Sequence, residues 1–109
     1  MGGAIARGLA QGTIIAAKDI TVADPTPDKL DELKAFNAEI NTATSNQDAV
    51  TGSDIILIAV KPWLVKEVVT NLQLDMQKQI IVSVAAGIPF SEYTNWLGKE
   101  AVLFRLVPN

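Results

Sequence analysis

Lys61 stands where a run of six apolar residues, Ile55 to Val60, stops. A cation at the carboxyl end of a strand can hold a ligand's ribose or phosphate through charge-assisted hydrogen bonds. A lysine solvated at the surface is the commoner use of such a residue. Asp24 closes a shorter apolar run and follows Gly2 by 22 residues. That is close to the spacing of about 20 at which a carboxylate meets the ribose of a dinucleotide whose pyrophosphate rests on a glycine-rich helix start. Only the last glycine of a G-x-G-x-x-G pattern is available, in Met1-Gly2, so this spacing is weak by itself. Ser83-Val84-Ala85-Ala86-Gly87 follows a third apolar run. Its small side chains let a flat ring lie against the backbone, and they equally suit a plain strand-to-helix corner. Asn109 could hydrogen-bond a carboxamide or be a frayed end. Trp63 and Trp96 fit core packing better than ligand stacking.

The residue types that are missing bound the chemistry. The 109 residues contain no histidine and no cysteine. That removes the commonest general base and metal ligand, the thiolate nucleophile and the disulfide. Asp31-Glu32 falls on an exposed helix face, and no H-E-x-x-H, C-x-x-C or G-x-S-x-G occurs. No catalytic residue and no metal ligand is therefore assigned. A net charge of −3 offers no basic field for nucleic acid. No apolar run reaches the roughly 18 residues of a membrane span, and no secretory signal is visible. A cytoplasmic location is expected. With 49% hydrophobic and 19% charged residues the chain reads as one globular domain.

These residues need elements to hold them. Met1–Ala10 reads as a helix of small residues that could lie close to a sheet, with Gly12 as its stop. Ile20–Ala23 is a short strand. Thr26 is a candidate N-cap, with Pro27 at the first helical position and Leu30, Leu33 and Phe36 on one face. Ile40–Ala43 fits an edge strand, and Thr44–Gly52 a loop or short helical turn. Ile55–Val60 has no polar break, so it is expected to be a strand buried on both faces near the middle of a parallel sheet. Lys61-Pro62 passes it into a helix to Leu72. Gln79–Val84 is a second buried strand, Pro89–Leu97 a helix with Ser91 as N-cap and Gly98 as stop, and Ala101–Val107 a last strand. Such alternation predicts an α/β, Rossmann-like, mostly parallel sheet with helices on both faces.

Taken together the segments resemble the amino-terminal, dinucleotide-binding domain of pyrroline-5-carboxylate reductase. Ala59-Val60-Lys61-Pro62, Ser83-Val84-Ala85-Ala86-Gly87 and Arg105-Leu106-Val107-Pro108-Asn109 carry the likeness, in the family's order and spacing. Met1-Gly2-Gly3-Ala4-Ile5 is similar to the tail of its glycine-rich start. The resemblance implies reduction of 1-pyrroline-5-carboxylate to L-proline, the last step of proline biosynthesis, with NADP or NAD as cofactor. It implies Gly2 under the pyrophosphate, Asp24 and Thr26 at the adenosine ribose, and Asn46 near the adenine. Ala59, Val60, Lys61 and Pro62 would line the nicotinamide ribose, Ala85, Ala86 and Gly87 would face the nicotinamide, and Asn109 would close the site. A carboxylate at Asp24 favours a free 2′-hydroxyl over a 2′-phosphate, whereas many members prefer NADPH. Another imine or keto-acid reductase of the superfamily, or a non-catalytic dinucleotide-binding module, are the alternatives.

The resemblance also implies what residues 1–109 lack. The family's opening strand has no counterpart, so no strand stands between Ile20–Ala23 and Ile55–Val60, and these two should not pair. A helical carboxyl-terminal domain that forms a homo-oligomer and supplies most of the substrate pocket has no counterpart either. The expectation is a cofactor-binding fragment, inactive by itself.

Overall fold

The computed structural model describes residues 2–106. The chain forms two compact units that meet at Ala49–Val50. The first opens on helix α1 (Gly2–Gln11) and continues through a short 3₁₀ turn (Ala17–Asp19) to strand β1 (Thr21–Ala23). Helix α2 (Pro27–Phe36) and strand β2 (Asn41–Ala43) follow, and the short helix α3 (Asn46–Val50) runs across the boundary between the units. β1 and β2 pair in parallel, Thr21 with Asn41 and Ala23 with Ala43. Ala6, Ala17, Leu33 and Ile40 bury their side chains here. Arg7 ties α1 to α2, with its guanidinium 5.7 Å from the Phe36 ring centre and 3.9 Å from the Glu32 carboxylate. α1 is the small-residue helix foreseen, but a Cβ at Gly3 or Gly8 would meet nothing within 4 Å. Those glycines are therefore not demanded by close packing. Gly12 does not take the left-handed conformation of a helix stop; its N–H donates to Leu9 C=O at 3.1 Å.

The second unit holds strand β3 (Ile55–Ile58), helix α4 (Pro62–Thr70), strand β4 (Ile80–Ser83), helix α5 (Phe90–Leu97) and strand β5 (Val102–Arg105). Its sheet is parallel in the order β3-β4-β5. The parallel pairing of the two apolar runs holds. Among the described residues no ladder joins this sheet to β1-β2, as the lack of an intervening strand leads one to expect. The α/β class with parallel strands and interleaved helices is as read from the sequence.

Two expectations for the apolar runs fail. β3 is at one margin of its sheet and β4 is in the centre, because the earlier strands pair with each other instead. Nor is β3 buried on both faces: Ile56 and Ile58 are buried, while Ile55 is 60% exposed. Val65 and Val69 of α4 and Tyr93 of α5 pack with Ile56, Ile58 and Ile81 into one core. The helices thus cover one face of the sheet, and burial there contributes about 1.5–3 kcal/mol for each large apolar side chain.

The element ends also depart from expectation in detail. Pro89, not Ser91, is at the N-cap of α5, and Gly98 closes it with φ +89°. Thr26 occupies the N-cap of α2 without a side-chain cap. Ser45 Oγ instead caps a helix, accepting the Asp48 N–H at 3.1 Å. Trp63 is 76% exposed, whereas Trp96 packs against the core with its ring edge-on to Tyr93 at 5.6 Å.

Candidate functional site

In a parallel α/β sheet, ligands gather beyond the carboxyl ends of the strands. The second unit builds such an edge from three strands in register, with Ile58 beside Ser83 and Ser83 beside Arg105. The ladder runs past the strand ends: Val84 N–H donates to Ile58 C=O at 3.1 Å, and Leu106 N–H to Ser83 C=O at 2.9 Å. Everything that follows these strands therefore leaves the sheet on one side.

This brings Ala59, Val60, Lys61 and Pro62 to the same edge as Ala85, Ala86 and Gly87. Ala59 and Val60 are half-buried, Lys61 and Pro62 exposed. Pro62 is at the first helical position of α4 and Lys61 at its N-cap, which is why the strand passes so directly into the helix. Ala85 is buried and Ala86 and Gly87 are exposed. Gly87 has φ +79° and open space around a would-be Cβ. The corner is thus bare backbone, a surface a planar ring can approach. It is held from behind: Ser83 Oγ accepts the Ala85 N–H at 3.3 Å and lies 2.6 Å from the Tyr93 hydroxyl. Arg105 ends β5 at this edge, with its guanidinium 5.3 Å from the centre of the Phe90 ring and its buried Nε without a hydrogen-bond partner. Asn109 lies outside the described residues.

The first unit presents a second edge. Ala23 pairs with Ala43, so Asp24 and the start of α3 at Asn46 both follow carboxyl ends of that sheet. Asp24 is half-buried, and Thr26 and Asn46 are exposed. Asp24 Oδ1 accepts the Thr26 N–H at 2.8 Å, an Asx turn that fixes the carboxylate and leaves its second oxygen for a ligand hydroxyl. Thr26 meets Asp24 through its backbone. Gly2 opens α1, whose first turn carries free N–H groups.

Gln79, buried at the opposite end of β4, was read from the sequence merely as the start of an apolar run. Its Nε2 donates to Val50 and Ser53 C=O at 2.7 and 2.8 Å, and its Oε1 accepts the Asp75 N–H at 2.9 Å. A shallow apolar groove of about 330 Å³, lined by Phe90, Thr94, Leu97, Lys99 and Leu103 among others, lies between α5 and β5 and includes none of the assigned site residues. Among the described residues no helix is long and apolar enough to cross a membrane, and no cluster of three or more acidic residues could hold a metal.

The chain has relatives. Residues 1–87 match the family described as NADP oxidoreductase coenzyme F420-dependent. Over its full length the chain is 33% identical to pyrroline-5-carboxylate reductase of Pisum sativum and 34% identical to that of Escherichia coli, covering 39% and 40% of those proteins. It therefore spans about 40% of the length of the curated relatives it matches. Among solved structures, pyrroline carboxylate reductase of Plasmodium falciparum with NADP bound superposes with a TM-score of 0.83 at 26% identity, over all of this chain and 38% of that one. An imine reductase from a Pseudomonas species, at 21% identity and a TM-score of 0.69 over 92% of this chain and 33% of its own, shares the fold.

Proposed function

The chain belongs to the family of NADP oxidoreductases described as coenzyme F420-dependent and is similar throughout to the amino-terminal part of pyrroline-5-carboxylate reductases, and from that premise we propose that it is the NAD(P)-binding part of an enzyme reducing 1-pyrroline-5-carboxylate to L-proline. One observation carries this reading. The register of β3, β4 and β5 delivers Ala59–Pro62, Ala85–Gly87 and Arg105-Leu106 to one edge, and these belong to the segments that carry the family resemblance.

Each unit offers groups that suit part of a dinucleotide. Asp24, fixed by Thr26 N–H, keeps an oxygen for a ribose hydroxyl, with Asn46 following the neighbouring strand. The N–H groups of the α1 start at Gly2 favour a pyrophosphate. Lys61 beside Ala59, Val60 and Pro62 would hold the nicotinamide ribose, and the bare corner Ala85-Ala86-Gly87 the nicotinamide face. Asn109 would close the pocket. The reduced cofactor supplies the hydride when bound; the chain's own work is to orient it. Without histidine or cysteine, residues 1–109 provide no obvious proton donor for the imine nitrogen. The remainder of a complete, homo-oligomeric, cytoplasmic enzyme would supply the substrate pocket.

The test is oxidation of NADH and NADPH by the complete protein carrying this domain, followed by absorbance with and without 1-pyrroline-5-carboxylate. Substrate-dependent oxidation is expected. Turnover of other cyclic imines or keto acids alone would assign a different reductase. Tight dinucleotide binding with no turnover of any of them would assign a non-catalytic module.

A further inference from the structure

We propose that Tyr93 is a positioning residue for the nicotinamide corner, acting through Ser83. The inference deepens the reading above and rests on it. Ser83 and Tyr93 are 0% and 1% exposed, and their hydroxyl oxygens lie 2.6 Å apart. No water competes at such a depth, so the pair satisfies its hydroxyls within the protein. Ser83 Oγ also takes the N–H of Ala85 at 3.3 Å. A serine bonding two residues ahead sets the local turn, and this one pins the start of the segment that reaches Gly87, where φ is +79°. Tyr93 sits inside α5, and its ring is braced edge-on by Trp96. The chain of contacts therefore runs from a rigid helix through one hydroxyl pair to the backbone that would face the ring. Without the Tyr93 hydroxyl, the Ser83 side chain is free to rotate away, and the Ala85 N–H loses a fixed acceptor.

Tyr93→Phe keeps the ring, and Ser83→Ala removes the other half of the pair. The first measurement needs no ligand: amide hydrogen exchange in the 109-residue chain. In either variant exchange at Ala85 should quicken about tenfold, the effect of losing one ordinary hydrogen bond, with Val69 and Ile81 unchanged. The second uses the complete protein, titrated with NADH, NADPH and ADP-ribose. Affinity for the two nicotinamide dinucleotides should fall several-fold, affinity for ADP-ribose should hold, and the double variant should be no worse than Ser83→Ala. Equal loss for all three ligands, or faster exchange throughout the unit, would reduce Tyr93 to a packing residue and overturn the inference. Unchanged nicotinamide affinity in Tyr93→Phe would overturn it too. If the unmutated protein binds no dinucleotide at all, the cofactor reading itself fails, a result distinct from either.

Discussion

Asp24 shows what a single residue can and cannot announce. Its distance from Gly2 suggests a ribose contact, and its place after β1 fits; the Asx turn to Thr26, which fixes the carboxylate, is written only in the fold. A carboxylate accepts the hydroxyls of an NAD ribose and repels a 2′-phosphate. In the complete protein Asp24→Ser should therefore shift the ratio of kcat/KM for NADPH over NADH upward by about tenfold, and chiefly through KM. An unchanged ratio would remove Asp24 from the ribose site. Gly87 was legible as a small residue in a corner, but its φ of +79° was not. A Cβ there meets no atom within 4 Å, so Gly87→Ala isolates the backbone cost. It should destabilise the second unit by about 1–2 kcal/mol, read as a lower urea midpoint. No change in midpoint would mean that the corner relaxes to another conformation at no cost.

At the scale of elements, periodicity located every strand and every long helix to within a few residues, because unbroken β-branched runs and proline-started helices are local signals. Their neighbours were harder to read. Whether β3 is central or marginal depends on which strands pair with it, and no property of Ile55–Ile58 records that. Ser91 was misplaced as a cap for the same reason, whereas Thr26 does stand at the N-cap of α2, though without a side-chain bond; by type alone Ser91, Ser45 and Thr26 fit equally well. Gln79 is the plainest omission: a polar residue before an apolar run looks like a strand's solvated start, yet its amide joins the loops before β3 and β4 through three hydrogen bonds. Gln79→Leu would remove three hydrogen bonds from a partly buried setting, although Val50 C=O would still accept the Ser53 N–H at 3.0 Å. The expected loss is about 2–4 kcal/mol, seen as a lower thermal midpoint, with little effect on the far edge that would hold the cofactor. A midpoint equal to that of the unmutated chain would show that water replaces all three bonds.

The whole molecule is where the sequence demanded more than the structure supplies. Apolar runs without alternation imply a sheet covered on both sides, and α4 and α5 cover one. On the other, Ile55, Ile80 and Val102 form one row across the register, exposed by 60%, 37% and 45%, and Phe104 stands 54% exposed in the next. The chain spans about 40% of the length of its relatives. The 109 residues by themselves should bind NAD(P)H weakly and not oxidise it with 1-pyrroline-5-carboxylate, and steady turnover by them would refute a division of labour with a further domain. The bare sheet face has its own consequence. Contiguous exposed apolar surface drives association, and here it lies on a three-stranded sheet whose outer strand β5 pairs, among the described residues, along one edge only. The isolated 109-residue chain should therefore self-associate as its concentration rises, measured by sedimentation velocity. Phe104→Lys places a charge on that face, at a site exposed enough to leave the core around Ile81 and Tyr93 intact. It should restore the monomer without lowering the thermal midpoint. If the unmutated chain stays monomeric at high concentration, the face is shielded in solution; if Phe104→Lys associates just as strongly, the contact lies elsewhere, with the open edge of β5 the next surface to substitute.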